Sequence, residues 1–361
     1  MKKLLIIFFA LTAVWLVVHP QKAFADYDEG QHEIEEQLED MLADYDIDWS
    51  YGDISGMTFT ELRDKISEST KERLAAPLRL LGILISVILF TAAVRGTSEN
   101  ILGSSGQIFD TICVVTAAAA ITPAVFTAYS STLEAVERLS GFMLVFVPVF
   151  AGITIAAGGA VTGGTYSMLI LGASTAFAAA VRSFLMPVLS VMAALSVSGS
   201  VFPERSVEGI TALLKKIVIW GVTASMTLFT GFTSLRSMLA AKTDGAGAKT
   251  IKFMISGFVP FVGGAVSDAY STVRGSFELM GSTVGTAGCL AIAVMILPPV
   301  IELICFRAVM LVGSAAAELF SAQPLVKLLK GIDSGLAIAQ CILICYSVML
   351  IICTGIVIQS I

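Results

Sequence analysis

The sequence predicts an all-α, polytopic helical membrane protein, preceded by a signal peptide and a small exported acidic helical segment. Three observations predict it. Of 361 residues, 56% are hydrophobic and only 14% are charged, whereas soluble domains carry about 25% charged residues. The charge is uneven: residues 1–25 carry a net +3, residues 26–73 a net −12, and residues 74–361 a net +3. From residue 74 onward, apolar stretches long enough to cross a bilayer recur, and helices satisfy their own backbone groups there.

The first element is the signal peptide, residues 1–25. Lys2 and Lys3 give the positive start, Leu4 to Val18 the apolar core, and Ala23-Phe24-Ala25 the small-x-small cleavage pattern. Cleavage after Ala25 leaves Asp26 as a mature N-terminus outside the cytoplasm. Residues 26–73 follow as an exported acidic segment with two helices. Over His32 to Ala43, Ile34, Leu38 and Met41 share one face. The second helix starts at a capping box, Thr58 with Glu61, flanked by the hydrophobic staple Met57 and Leu62, and runs through Lys71 towards Pro77. Its acidic surface is either solvated or a docking face.

Spans are expected near 78–94, 111–129, 139–157, 166–181, 184–202, 217–235, 283–301, 304–322 and 336–358. Some merge or are short, so seven are expected, within bounds of about six to nine. They group as two first spans in 74–138, one half over 139–235 and a second over 253–361. The stretch 236–252, with Arg236, Lys242, Lys249 and Lys252 against Asp244, reads as a basic cytoplasmic loop. The net acidic stretch 130–138 reads as an external loop.

The two halves resemble each other. Phe146-Val147-Pro148 leads to Gly152 and then Gly158-Gly159; Phe258-Val259-Pro260 leads to Gly263-Gly264. Leu185-Met186-Pro187-Val188 matches Leu297-Pro298-Pro299-Val300, and Thr230-Gly231 matches Thr354-Gly355. Gly/Pro-interrupted apolar segments at matching places in two halves point to a pathway. Broken backbone at membrane depth needs protein or a water-filled cavity beside it. Pro148, Gly152, Gly158, Gly159, Pro260, Gly263 and Gly264 are therefore the pathway candidates. The competing reading is kinks and close helix packing.

Ionisable groups in apolar stretches are costly and often functional. Arg182, Glu302, Arg307 and Glu318 are of this kind, with Arg307 expected to pair with Glu302 or Glu318. Snorkelling and structural pairing are the alternatives. The six cysteines all fall in apolar stretches and read as small buried residues; Cys341 and Cys345 share a helix face. The two histidines, His19 and His32, both precede the spans, and HExxH is absent. No enzyme activity, metal or cofactor is expected. Gly245-Ala246-Gly247-Ala248-Lys249-Thr250 has Ala248 where a phosphate loop needs glycine, and reads as a flexible loop. No basic cluster with aromatics supports nucleic-acid binding.

The order of signal peptide, acidic helical segment and duplicated FVP-containing membrane region resembles the stage III sporulation protein AE family of endospore-forming bacteria. The most specific stretches are Phe146 to Gly159 and Phe258 to Gly264. The resemblance implies a setting in the mother-cell membrane around the engulfed forespore. It implies a multi-protein channel, similar in parts to secretion systems, that supports late forespore gene expression. The implied partners are other stage III sporulation A-operon proteins, including a secretion-type ATPase and ring-forming subunits, and indirectly stage II sporulation protein Q. From the residues alone, a channel subunit, a self-sufficient secondary transporter of a small solute and a non-conducting scaffold all remain open.

Overall fold

The computed structural model of the chain describes residues 59–98, 106–202, 207–258 and 263–358. The chain divides into two units, Met1–Tyr51 and Gly52–Ile361, and every described residue belongs to the second. The signal peptide and the helix expected over His32 to Ala43 lie outside the described residues, as do Thr58 and Pro260.

All elements among the described residues are helical. They are α1 (Phe59–Ser98), α2 (Gly106–Ala156), α3 (Ala160–Ala180), a π-helical turn (Val181–Leu185), α4 (Met186–Val201), α5 (Glu208–Phe258), α6 (Gly263–Leu319) and α7 (Gln323–Ile358). Six of the helical stretches are long and apolar enough to cross a membrane: Arg73–Ala93, Thr111–Ala156, Ala160–Val201, Gly209–Leu235, Gly281–Leu319 and Gln323–Ile358. The chain is thus built as a multi-pass membrane protein.

Several expected breaks are absent. Helix α1 starts at Phe59, next to the predicted cap, but continues through Pro77 instead of ending near it. Residues 130–138, expected as a loop, lie inside α2. Their composition explains this: Glu134 and Arg138 pair one helical turn apart at 2.8 Å, and the Thr132 hydroxyl donates to the Ala128 carbonyl. Residues 236–252, including the glycine-rich Gly245 to Thr250, lie within helix α5 rather than a loop. The expected spans 111–129 and 139–157 fuse into one helix, as do 283–301 and 304–322. Spans 166–181 and 184–202 join through the π-turn. Pro187 near the start of α4 has no N–H and its ring crowds the preceding turn, which the wider π geometry relieves.

True turns occur elsewhere. Between α2 and α3 the chain reverses at Gly158, whose φ of 92° suits glycine. Between α6 and α7 it reverses within three residues: the Ala322 N–H donates to the Ala317 carbonyl, and Ser321 takes a positive φ of 55°.

Helix α7 packs against α2, α3, α4, α5 and α6 and forms the centre. Side-chain contacts place the long helices in two tiers. In one, Phe150 meets Tyr166, Tyr346 meets Ser174, Thr354 meets Tyr166, and Cys353 meets Thr233. In the other, Gly313 of α6 faces Leu84 and Leu329, Gly331 faces Ser196, and Gly199 faces Val207. A band of charged groups separates the two tiers.

Candidate functional site

The charged band is the most chemically distinctive part of the body. Glu302 is its buried carboxylate, 6% exposed. Arg73 of α1 donates to Glu302 at 3.1 Å and to the Ser131 hydroxyl of α2 at 3.1 Å. Ser131 in turn donates to Glu302 at 3.0 Å. Three helices are thereby tied at one height, and the carboxylate keeps its charge compensated away from water.

A second knot joins α6 to α7. The Arg307 guanidinium donates to Asp333 at 2.9 Å and to Gln340 at 2.6 Å. The expected partners of Arg307 are therefore both corrected. Glu302, five residues earlier on the same helix, points to a different face, and Glu318 pairs instead with Lys330 across the α6–α7 turn at 2.6 Å. Arg182, in the π-turn, pairs with Glu137 of α2 at 2.5 Å. All four charges named from sequence thus have an ionic partner, and none of those partners, Arg73, Glu137, Asp333 and Lys330, was foreseen.

The pathway candidates fare differently. Pro148 and Gly152 are exposed on the outer face of α2, in the company of Leu144, Val145 and Ile155. The opposite face carries Phe142, Phe146 and Phe150, all fully buried and stacked in turn with ring centroids 5.4 and 5.6 Å apart. Gly158 and Gly159 form the α2–α3 turn. Gly263 and Gly264 open helix α6. Pro148 and Gly152 thus face outward, while Pro260 lies outside the described residues.

The glycines that permit close packing are others. A Cβ on Gly288 would run into the Phe146 ring, and one on Gly285 would meet Phe150 and Ile358. On α7, Gly335 lies against the Tyr129 hydroxyl. Sequence reasoning missed these because they follow no Gly/Pro break; the available signal was the i, i+4, i+8 phenylalanine ladder, which needs small residues opposite it.

Polar side chains also bind the core of the other tier. The Tyr346 and Ser174 hydroxyls lie 2.6 Å apart, Ser174 donates to Ser140 at 3.2 Å, and the Tyr346 ring stacks on Phe177 at 4.6 Å. Tyr166 and Thr354 hydroxyls lie 3.1 Å apart. Such hydrogen bonds hold helices together where water cannot compete. Cys341 and Cys345 sit on one face with sulfurs 3.8 Å apart. Among the described residues no cluster of three His, Cys, Asp or Glu side chains is placed to hold a metal.

Comparison with known proteins places this architecture. The profile of the stage III sporulation protein AE family matches residues 47–360, which takes in every described residue up to Ile358. The chain belongs to the stage III sporulation protein AE family. A relative, stage III sporulation protein AE of Bacillus subtilis (strain 168), is 26% identical over 200 residues. That match covers 55% of this chain and spans half the length of the relative. No solved structure matches the stage III sporulation protein AE fold described above. The family is one of sporulation proteins, and the six apolar helices make this member a multi-pass membrane protein.

Proposed function

We propose that this chain is the polytopic membrane subunit of a multi-protein channel or secretion-like apparatus. In this reading it sits in the mother-cell membrane around the forespore, with its mature N-terminus outside the cytoplasm. It is required for endospore formation and supports late forespore gene expression. Its partners are other stage III sporulation A-operon proteins, including a secretion-type ATPase and ring-forming subunits, and indirectly stage II sporulation protein Q. The chain itself catalyses no reaction and uses no cofactor.

One observation carries the subunit role: the Pro148–Gly152 face of α2 points outward, and a filled aromatic ladder stands behind it. A self-sufficient transporter needs its pathway within one chain. Here the Gly/Pro face is available to a neighbour instead. Relatedness of the two halves is part of the same reading. It draws support from helix order, since α3–α4 then α5, and α6 then α7, each run as a proline-interrupted helix followed by a second helix.

The test is thiol accessibility in sporulating cells with the partners present. The six native cysteines are removed, and single cysteines are placed at Val145, Gly152 and Ile155 on the outer face. Labelling by a membrane-impermeant reagent supports an aqueous path bordered by this face. Protection at all three positions, in variants that still sporulate, leaves the chain as a packed membrane scaffold. Solute movement by the purified chain alone overturns the subunit reading in favour of a secondary transporter.

A further inference from the structure

The six thiols are not alike. Cys113, Cys289 and Cys353 are buried, whereas Cys305, Cys341 and Cys345 are half-buried. Cys341 and Cys345 stand one helical turn apart on α7, with their sulfurs 3.8 Å from each other. The face they share is an outer one. Ile342, Leu343, Tyr346 and Ser347 are buried, while Val348 and Ile352, further along the cysteine side, are only half-buried.

Two thiols this close either lie in contact, close a disulfide or share a metal ion. A relaxed disulfide needs Cβ atoms about 3.5–4.5 Å apart. Neighbours one turn apart on a helix hold theirs at about 5–6 Å. Closing the bond would therefore distort α7, which runs unbroken from Gln323 to Ile358 at the centre of the body. A shared ion needs no such distortion. Thiolates at about 2.3 Å from one tetrahedral ion stand about 3.8 Å apart, the separation that α7 already provides.

Charge and softness select the ion. Residues 341–358 of α7 contain no Asp, Glu, Lys or Arg, and net charge is costly in such apolar surroundings. A divalent cation and two thiolates sum to zero. A monovalent cation would leave a negative charge, and a trivalent one a positive charge. Thiolate sulfur also selects zinc-like ions over magnesium, calcium or manganese, which take oxygen ligands. Closed structural zinc sites use four protein ligands and catalytic ones three. Two ligands leave positions open, so such a site exchanges its ion and is distinct from a resident cofactor.

We propose that Cys341 and Cys345 form a two-thiolate clip for a soft divalent cation of the zinc type on the outer face of α7. On binding, each thiol releases its proton and each sulfur forms one bond to the ion, with no electron transferred. The remaining coordination positions are filled by water or another small donor.

Titration of the purified full chain with Cd2+ tests this, in mild detergent, with the thiols reduced and metal removed. Thiolate ligation to Cd2+ gives an ultraviolet charge-transfer band, which carboxylates binding through oxygen do not. One Cd2+ per chain is expected, displaced by Zn2+ and not by Mg2+. Cys341→Ser and Cys345→Ser should each weaken binding by more than about tenfold, the least that follows from changing even an outer-shell partner of a metal site. Cys305→Ser, a change at the other half-buried thiol, should bind as the parent does. A second readout needs no variant. Bound Cd2+ or Zn2+ should slow N-ethylmaleimide labelling at both Cys341 and Cys345, located by mass spectrometry, and leave Cys305 unaffected. A band that persists in both serine variants overturns the proposal. So does labelling of Cys341 and Cys345 that the metal leaves unchanged, or a fully reduced chain that takes up no Cd2+.

Discussion

Helices α7 and α5 both qualify as membrane spans, yet they occupy opposite environments. Half of the most apolar stretch of α7 is buried within the protein, against 11% for α5. Helix α7 touches five other helices and carries partners for Arg307, Ser174 and Tyr166. Helix α5 buries a thin stripe, Val218, Val222 and Thr233, and turns Leu213, Trp220, Leu228 and Leu235 outward. The difference teaches that hydropathy reports the solvent a helix prefers, while centrality comes from polar partners and small residues at fixed spacing. In lipid there is no water to drive apolar faces together, so those specific contacts decide which helix is inside.

The sharpest way to break the comparison is to remove an ion from the centre. Arg307→Ala leaves Asp333 partly buried without its guanidinium, and is expected to cost about 3 kcal/mol. The readout is thermal unfolding of the purified chain in mild detergent. The double variant Arg307→Met with Asp333→Leu should recover most of the loss, since no lone charge remains. If the single variant unfolds like the parent, the α6–α7 knot does not anchor the centre.

Next in size is a pair of identical substitutions with opposite expected signs. Gly288→Ala places a methyl group against the Phe146 ring, which is held between Phe142 and Phe150, and should destabilise by about 2 kcal/mol. Gly221→Ala on α5 meets nothing within 4 Å and should stabilise by about 0.5–1 kcal/mol through helix propensity alone. The same melting measurement decides both, and equal shifts would mean that α6 is no more tightly packed than α5.

Much of this was legible in the sequence for plain reasons. Composition and run length identify a helical membrane chain because the bilayer admits little else. The FVP stretches lie within the region that matches the family. Helix continuity was less legible: a polar run such as Ser130 to Arg138 reads as a loop when its neighbours are unknown, yet Glu302, Arg73 and Arg182 supply partners that let it stay helical. Pairing was least legible. Arg307 had two acids on its own helix, but its partners lie on α7, and a helical face separates it from Glu302. The Pro148 and Gly152 signal gave position along the chain without direction around the helix, which depends on where the Phe ladder finds Gly288 and Gly285.

The smallest expected effect probes what holds α7 once the ions and the packing are set aside. Tyr346→Phe removes one hydroxyl, 2.6 Å from that of Ser174, and keeps the ring stacked on Phe177. Ser174 retains Ser140 as a partner, so no buried group is stranded. Hydrogen bonds between membrane helices average about 0.6 kcal/mol, and the melting shift should correspond to that value. A larger loss would mean that the three hydroxyls act as a unit across α2, α3 and α7. No loss at all would leave the Arg307 knot and the glycine contacts as the only distinctions between the central helix and the peripheral one.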